Sequence, residues 1–463
     1  MTAPEPCELA REKNAEGGPN EMDRRPLVAM ATLLSVLLLL STLACQQQAS
    51  APAPTSPPKT EAAKPATTAA PGSASAPSPQ AKTSETINLA AFLTLTGSQS
   101  DIGAMARNAV TMAVEDINNS GGIKALGGAK VNAVITDITS DAAQVPTIVE
   151  RTLSQNKVAG AIGCSVSQFT LSALPVIEKR GVPMVTSSIS DDITKQGYKY
   201  IFQIAPKGSQ FGAMQVDFLS YLKERYKLPV EKVGFIYENT AYGTSTASGL
   251  RKIAEQKGYK VVIDQSYPAG FSDAAPLVTA VKSAGADVVF PVSYTVDGTL
   301  IVTTMYQMNY LPLLVGGGAA FIWPDIGKSL GDKVNGIFSV GSWSWDSKNI
   351  TSDPARADVT KRYKERFGTF MPEQAGEHYA GIWTLKEGIE AAASSDPAKV
   401  RDALSKIKIT SGLATMMQPG IIEFDETGWS KHVTPTMIQW QKGEPRTVYP
   451  ESVKNVDVIW PPR

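Results

Sequence analysis

INLAAFLTLTGSQSDIGAMARNAVTMAVEDINNSGGI, residues 87–123, changes its period part-way along. Ile87 to Leu93 is an apolar run of strand length. From Asp101 to Asn118, residues Ile102, Met105, Ala106, Ala109, Ala113 and Ile117 then recur at helical spacing, up to a stop at Gly121-Gly122. Strand, loop and amphipathic helix in that order form the repeating unit of a parallel sheet, because the chain needs a long crossover to return to the same edge. Further apolar runs continue the alternation: Val131 to Thr136, Val158 to Ile162, Met184 to Thr186, Lys232 to Tyr237, Lys260 to Ile263, Val288 to Val292 and Leu313 to Val315. The predicted fold is therefore open α/β, with helices on both faces of parallel sheets, rather than a sandwich or a barrel.

A second series opens around residue 206, where Val233-Gly-Phe-Ile-Tyr repeats the kind of strand that begins at Ile87. Two doubly wound units place their ligand loops at the carboxyl ends of the strands. A cleft between two such units is the expected binding site.

With 463 residues, 43% hydrophobic and 19% charged, the chain can bury a sizeable core. Lys plus Arg and Asp plus Glu both number 44, so no global field favours nucleic acid. Cys7, Cys45 and Cys164 lie too far apart for a disulfide framework or a cysteine-based zinc site. His378 and His432 are the only histidines, which leaves few candidates for a catalytic base or a metal centre. No cofactor is expected.

Leu27 to Ala44 is a run of 18 uncharged residues preceded by Arg24 and Arg25, the order of a secretory signal, although its length also permits a membrane anchor. It ends in Ser41-Thr42-Leu43-Ala44-Cys45, which resembles a bacterial lipobox; that resemblance implies cleavage before Cys45 and a lipid on its sulfur. Thr42 and Leu43 depart from the usual Leu and small residue. Residues 1–44 are read as signal peptide, with Met22 as an alternative true start, because five glutamates precede it. Residues 45–83, rich in Ala, Pro, Ser and Thr, read as a disordered tether from lipid to folded domain.

Nothing in the chain assembles an enzyme. No Gly-x-Ser-x-Gly elbow occurs, Cys164 has no local base, and Gly327-Lys328-Ser329 lacks the earlier glycine of a phosphate loop. The stretch after Ile162 has more to offer. Gly163, Ser165 and Ser167 precede a helix beginning near Gln168, placing hydroxyls and unpaired N–H groups at a helix start, where a carboxylate is held by fixed donors. Helix capping by Ser167 is the alternative. Ser293 and Tyr294 follow the strand VVFPV, either as cleft wall or as ordinary packing.

Together with RGVPMVTSSISDDITKQGYKYIFQIAP, VGFIYENTAYGTSTASGL and ADVVFPVSYTVDG, the opening stretch resembles the branched-chain amino-acid type solute-binding proteins of ABC transporters, from about Thr86 to about Gly443. The resemblance implies two Rossmann-like lobes, the type I periplasmic binding protein fold, joined by three crossing strands. The first lobe would take 84–205 plus 337–410 and the second 206–336 plus 411–463. It implies that Ser167, with Gln168 beside it, grips a ligand carboxylate. A backbone carbonyl and a hydroxyl would come from Ser188 and Ser190, although that segment is one residue shorter than the family pattern. Tyr242 would cover the ligand from the second lobe. Gly318 stands where the family places an acid for the ligand ammonium. This favours a carboxylate lacking the amine, whereas the family favours an amino acid. The expected function is an extracytoplasmic, lipid-anchored binding protein that delivers a small solute to a permease. A ligand-sensing subunit and, with less to support it, a lipid-anchored hydrolase are the alternatives.

Overall fold

The computed structural model describes residues 85–462. The expected signal segment, Cys45 and the tether lie outside the described residues. The quoted stretch forms β1 (Ile87–Leu93) and α1 (Ser100–Asn119). β1 lies inside a parallel sheet between β2 (Val131–Asp137) and β3 (Gly160–Gly163), and is followed outward by β4 (Met184–Thr186) and β5 (Ile201–Gln203), in the order β2-β1-β3-β4-β5. Alternation along β1 sends Leu89, Ala91 and Leu93 to one face with α1. Ala90 and Phe92 go to the other face, which is covered by α2 (Val145–Gln155) and α3 (Ser167–Arg180).

The chain then leaves this sheet through α4 (Gly208–Tyr226) and builds a second one. It holds β6 (Lys232–Glu238), β7 (Lys260–Tyr267), β8 (Val288–Val292), β9 (Leu313–Gly316) and β10 (Phe338–Gly341), connected through α5 (Ala241–Gln256), α6 (Ala275–Ala284), α7 (Thr295–Gln307) and α8 (Pro324–Leu330). Two of its helices meet through glycine: a Cβ at Gly249 would stand 2.0 Å from the Ser209 carbonyl oxygen of α4, and one at Gly212 would stand 2.2 Å from the Thr246 carbonyl oxygen of α5.

After β10 the chain returns to the first lobe. There follow α9 (Lys348–Thr351), α10 (Pro354–Phe367), α11 (Glu373–Ala392), α12 (Pro397–Leu404) and a short ladder of β11 (Lys408–Ile409) with β12 (Ile422–Glu423). Tyr379, Ile382 and Leu385 of α11 join Ala106 and Ala109 of α1 in one core. Finally β13 (Thr436–Gln441) and β14 (Glu444–Tyr449) extend the second sheet antiparallel, giving β14-β13-β10-β9-β8-β6-β7. The chain thus passes between the sheets three times.

The expected lobe boundaries need correction in two places. Phe338–Gly341 pairs in parallel with β9, so it belongs to the second sheet rather than the first lobe. Met416, Met417, Ile422 and Val433 pack in the same core as α11, so residues up to about 433 belong to the first lobe rather than the second.

Candidate ligand-binding site

β3 delivers the chain at its carboxyl end into Cys164, Ser165 and Val166, and α3 starts at Ser167. Cys164 faces the core, and burial pushes its thiol up to about 12, which removes it as a nucleophile. Ser165 adopts a left-handed φ of 62° and turns its hydroxyl to His378 on α11, at 3.0 Å from Nε2. His378 Nδ1 lies 2.7 Å from the Gln374 carbonyl oxygen. A carbonyl only accepts, so Nδ1 carries the proton and Nε2 accepts from Ser165. Burial holds His378 in that neutral form, lowering it to about 4.

Ser165, Ser167, Ser187, Ile189, Phe211, Tyr242, Tyr294, Ala319, Trp323, Glu373, Gln374 and Glu377 line a small cavity of about 30 Å³. Ser167 lies at its wall and its Oγ accepts the Ser190 N–H at 3.2 Å, while Gln168 is exposed on α3 and stays outside. Beyond β4 the extended chain alternates, so Ser187 and Ile189 face the cavity while Ser188 and Ser190 turn inward. Ser188 Oγ lies 2.7 Å from Thr170 Oγ1, and Ser190 Oγ accepts the Asp192 N–H.

Tyr242 and Tyr294 form the opposite wall, their ring centroids 4.9 Å apart, and Trp323 continues it 6.5 Å from Tyr294. The Tyr242 hydroxyl donates to the Gly317 carbonyl at 2.8 Å, which fixes the ring over the cavity. Ser293 is buried behind this wall against the Tyr267 hydroxyl. Gly318 does not line the cavity. Its φ is 93°, its N–H donates to Ser339 Oγ at 3.1 Å, and a Cβ there would stand 2.9 Å from the Phe211 ring. The position is shaped for glycine, with Ala319 taking the place at the wall.

Three polar residues of the wall come from α11, and none of them was expected from sequence. Glu373 accepts the Ser342 N–H at 2.6 Å and lies 3.4 Å from Trp323 Nε1 on the other lobe. Glu377, one turn on, shares the Ser342 hydroxyl with Glu373. Burial raises both carboxyls above their ordinary range, and the Glu373 charge raises Glu377 further. The available signal was two glutamates four apart at the start of a helix, where like charges repel unless something pairs them.

Residues 86–432 match the model of the periplasmic binding protein family. The chain belongs to that family. This periplasmic binding protein is 29% identical over 389 residues to Leu/Ile/Val-binding protein homolog 7 of Brucella suis biovar 1 (strain 1330), a match covering 82% of this chain and 96% of the relative. Its fold matches the leucine-binding protein LivK of Thermotoga maritima MSB8 with a TM-score of 0.69 at 21% identity, over 80% of this chain and 99% of that one. LivJ of Streptococcus pneumoniae, solved in complex with isoleucine, matches with a TM-score of 0.68 at 21% identity, over 79% and 100%. The periplasmic binding protein fold has two lobes, and both supply walls of the cavity. Asp101 of α1 accepts from Thr295 Oγ1 of α7 at 2.7 Å, joining one lobe to the other.

Proposed function

We propose that this periplasmic binding protein captures a small amino acid or related carboxylate outside the cytoplasm and delivers it to the permease of an ABC importer. The cavity carries the reading. Its hydroxyl-lined side and the first turn of α3 come from one lobe, and its aromatic side comes from the other. The full set of contacts exists only when the lobes meet, so a ligand bound to both shifts the population towards closure. The ligand carboxylate sits at the start of α3, where first-turn N–H groups and the positive end of the helix dipole favour an anion. The names of the Brucella relatives, Leu/Ile/Val-binding protein homologs, support a ligand of the leucine, isoleucine or valine type. Lipid on Cys45 would hold the protein at the membrane surface beside its permease.

A thermal-shift screen of the purified protein against amino acids, amides and organic acids tests the ligand class, because a bound ligand raises the midpoint by mass action. No shift with any amino acid or carboxylate would overturn it. Cys45→Ser should move the protein from the membrane fraction to the soluble one; an unchanged distribution would count against the lipid anchor.

A further inference from the structure

The cavity is short of cations. Among the described residues, no lysine or arginine lines it, yet two carboxylates do. Glu373 is 5% exposed and Glu377 1% exposed, so solvent does little to stabilise either charge. Ser342 brings a single hydroxyl proton to a position bonded to Oε1 of both glutamates. One proton cannot be donated twice, so the second contact requires a proton on one of the carboxyls. The pair therefore holds about one negative charge, and no side chain neutralises it.

What the pair leaves over points at the ligand. Glu377 Oε2, Gln374 Oε1 and Ser187 Oγ are buried polar atoms on residues that line one cavity and make no well-formed hydrogen bond, although the Ser187 hydroxyl lies beside the Glu377 carboxyl and favours its charge. A buried carboxylate met by no more than a neutral hydroxyl is costly, and a charged donor offsets that cost far better than a neutral one. The wall opposite is Tyr242, Tyr294 and Trp323, whose ring faces also favour a cation. Trp323 reaches across to Glu373, so this acidic side is completed only when the lobes close.

We infer that the Glu373–Glu377 pair is the seat of a ligand ammonium group, with Glu377 Oε2 as its direct acceptor, so that the solute carries a protonated amine beside its carboxylate. The inference rests on the amino-acid reading above and narrows it. It places the acid for the amine on the first lobe, on α11, although the second lobe offers none at Gly318.

Calorimetry with three probes tests it: L-leucine, 4-methylpentanoate, which lacks the amine, and 3-methylbutylamine, which lacks the carboxylate. Wild-type protein is expected to bind leucine at least about 100-fold more tightly than 4-methylpentanoate, the range found when one partner of a buried charge pair is removed. Glu377→Gln should lose about the same factor for leucine while 4-methylpentanoate stays within about threefold. Glu377→Asp, which retracts the carboxylate by one methylene, gives a second reading of the same selectivity. Equal wild-type affinities for leucine and 4-methylpentanoate, or undiminished leucine binding by a folded Glu377→Gln protein, would overturn the ammonium seat and leave the carboxylate reading standing. Binding of 3-methylbutylamine alone would keep the seat and overturn the amino-acid reading, and no binding by any of the three would overturn both.

Discussion

Glu238 closes β6 as a buried residue, and Asp297 lies close enough for its charge to act on it. Burial first, and the Asp297 charge second, push Glu238 from 4.5 up to about 7. The folded state therefore holds this proton more tightly than the unfolded chain. Its contribution to stability is full below about pH 4.5 and is lost as pH rises through 7, by roughly 3 kcal/mol. Glu238→Gln keeps the uncharged shape, so its melting temperature should fall less than that of wild type between pH 5 and 7.5; parallel curves from calorimetry at each pH would refute this. His378 works in the opposite sense. Its depressed value gives stability that is present above pH 6.5 and lost as pH falls through 4. At this scale Ser167, Tyr242 and Tyr294 are legible because each follows a strand end in its own segment. Glu373, Gln374 and Glu377 are not, because only the return of the chain to the first lobe brings α11 beside the Ser165 loop.

The elements of the parallel sheets were readable from β1 to β9, apart from β5, because most of the apolar runs are followed by a helix of matching period. β5 is as short as β4, but its run is interrupted by the buried Gln203. β13 is hidden for another reason: Thr436 and Gln439 interrupt its apolar run, yet both are buried, with Thr436 Oγ1 donating to the Tyr449 carbonyl and Gln439 Nε2 to the Ile459 carbonyl. Satisfied polar atoms can occupy a core strand, and a hydropathy pattern does not see their partners. The junction of α4 and α5 makes its own prediction. A Cβ at Gly249 would meet backbone rather than a movable side chain, so the two helices must separate. Gly249→Ala should cost at least about 2 kcal/mol in denaturant unfolding, against a few tenths for Lys252→Ala on the exposed face of the same helix. Equal costs would show that the helices adjust freely.

The described residues form two lobes tied by three crossings, and the bond between Asp101 and Thr295 joins one lobe to the other. Thr295→Val deletes that donor and leaves the half-buried Asp101 without it. Unliganded variant should scatter X-rays with a larger radius of gyration than wild type, return to the wild-type value when saturated with ligand, and bind about fivefold more weakly. An unchanged radius and affinity would mean that this contact does not bias closure. The three crossings also impose an order on synthesis. The face of the first sheet that carries α1 is not covered until α11 has been made, and the whole second-lobe β6 to β10 series comes between. At ordinary translation rates that interval is on the order of 10–30 s. Neither half can finish early, so the nascent polypeptide stays incompletely folded until nearly all of it has emerged, a property suited to a chain threaded through a narrow export channel before it closes into shape.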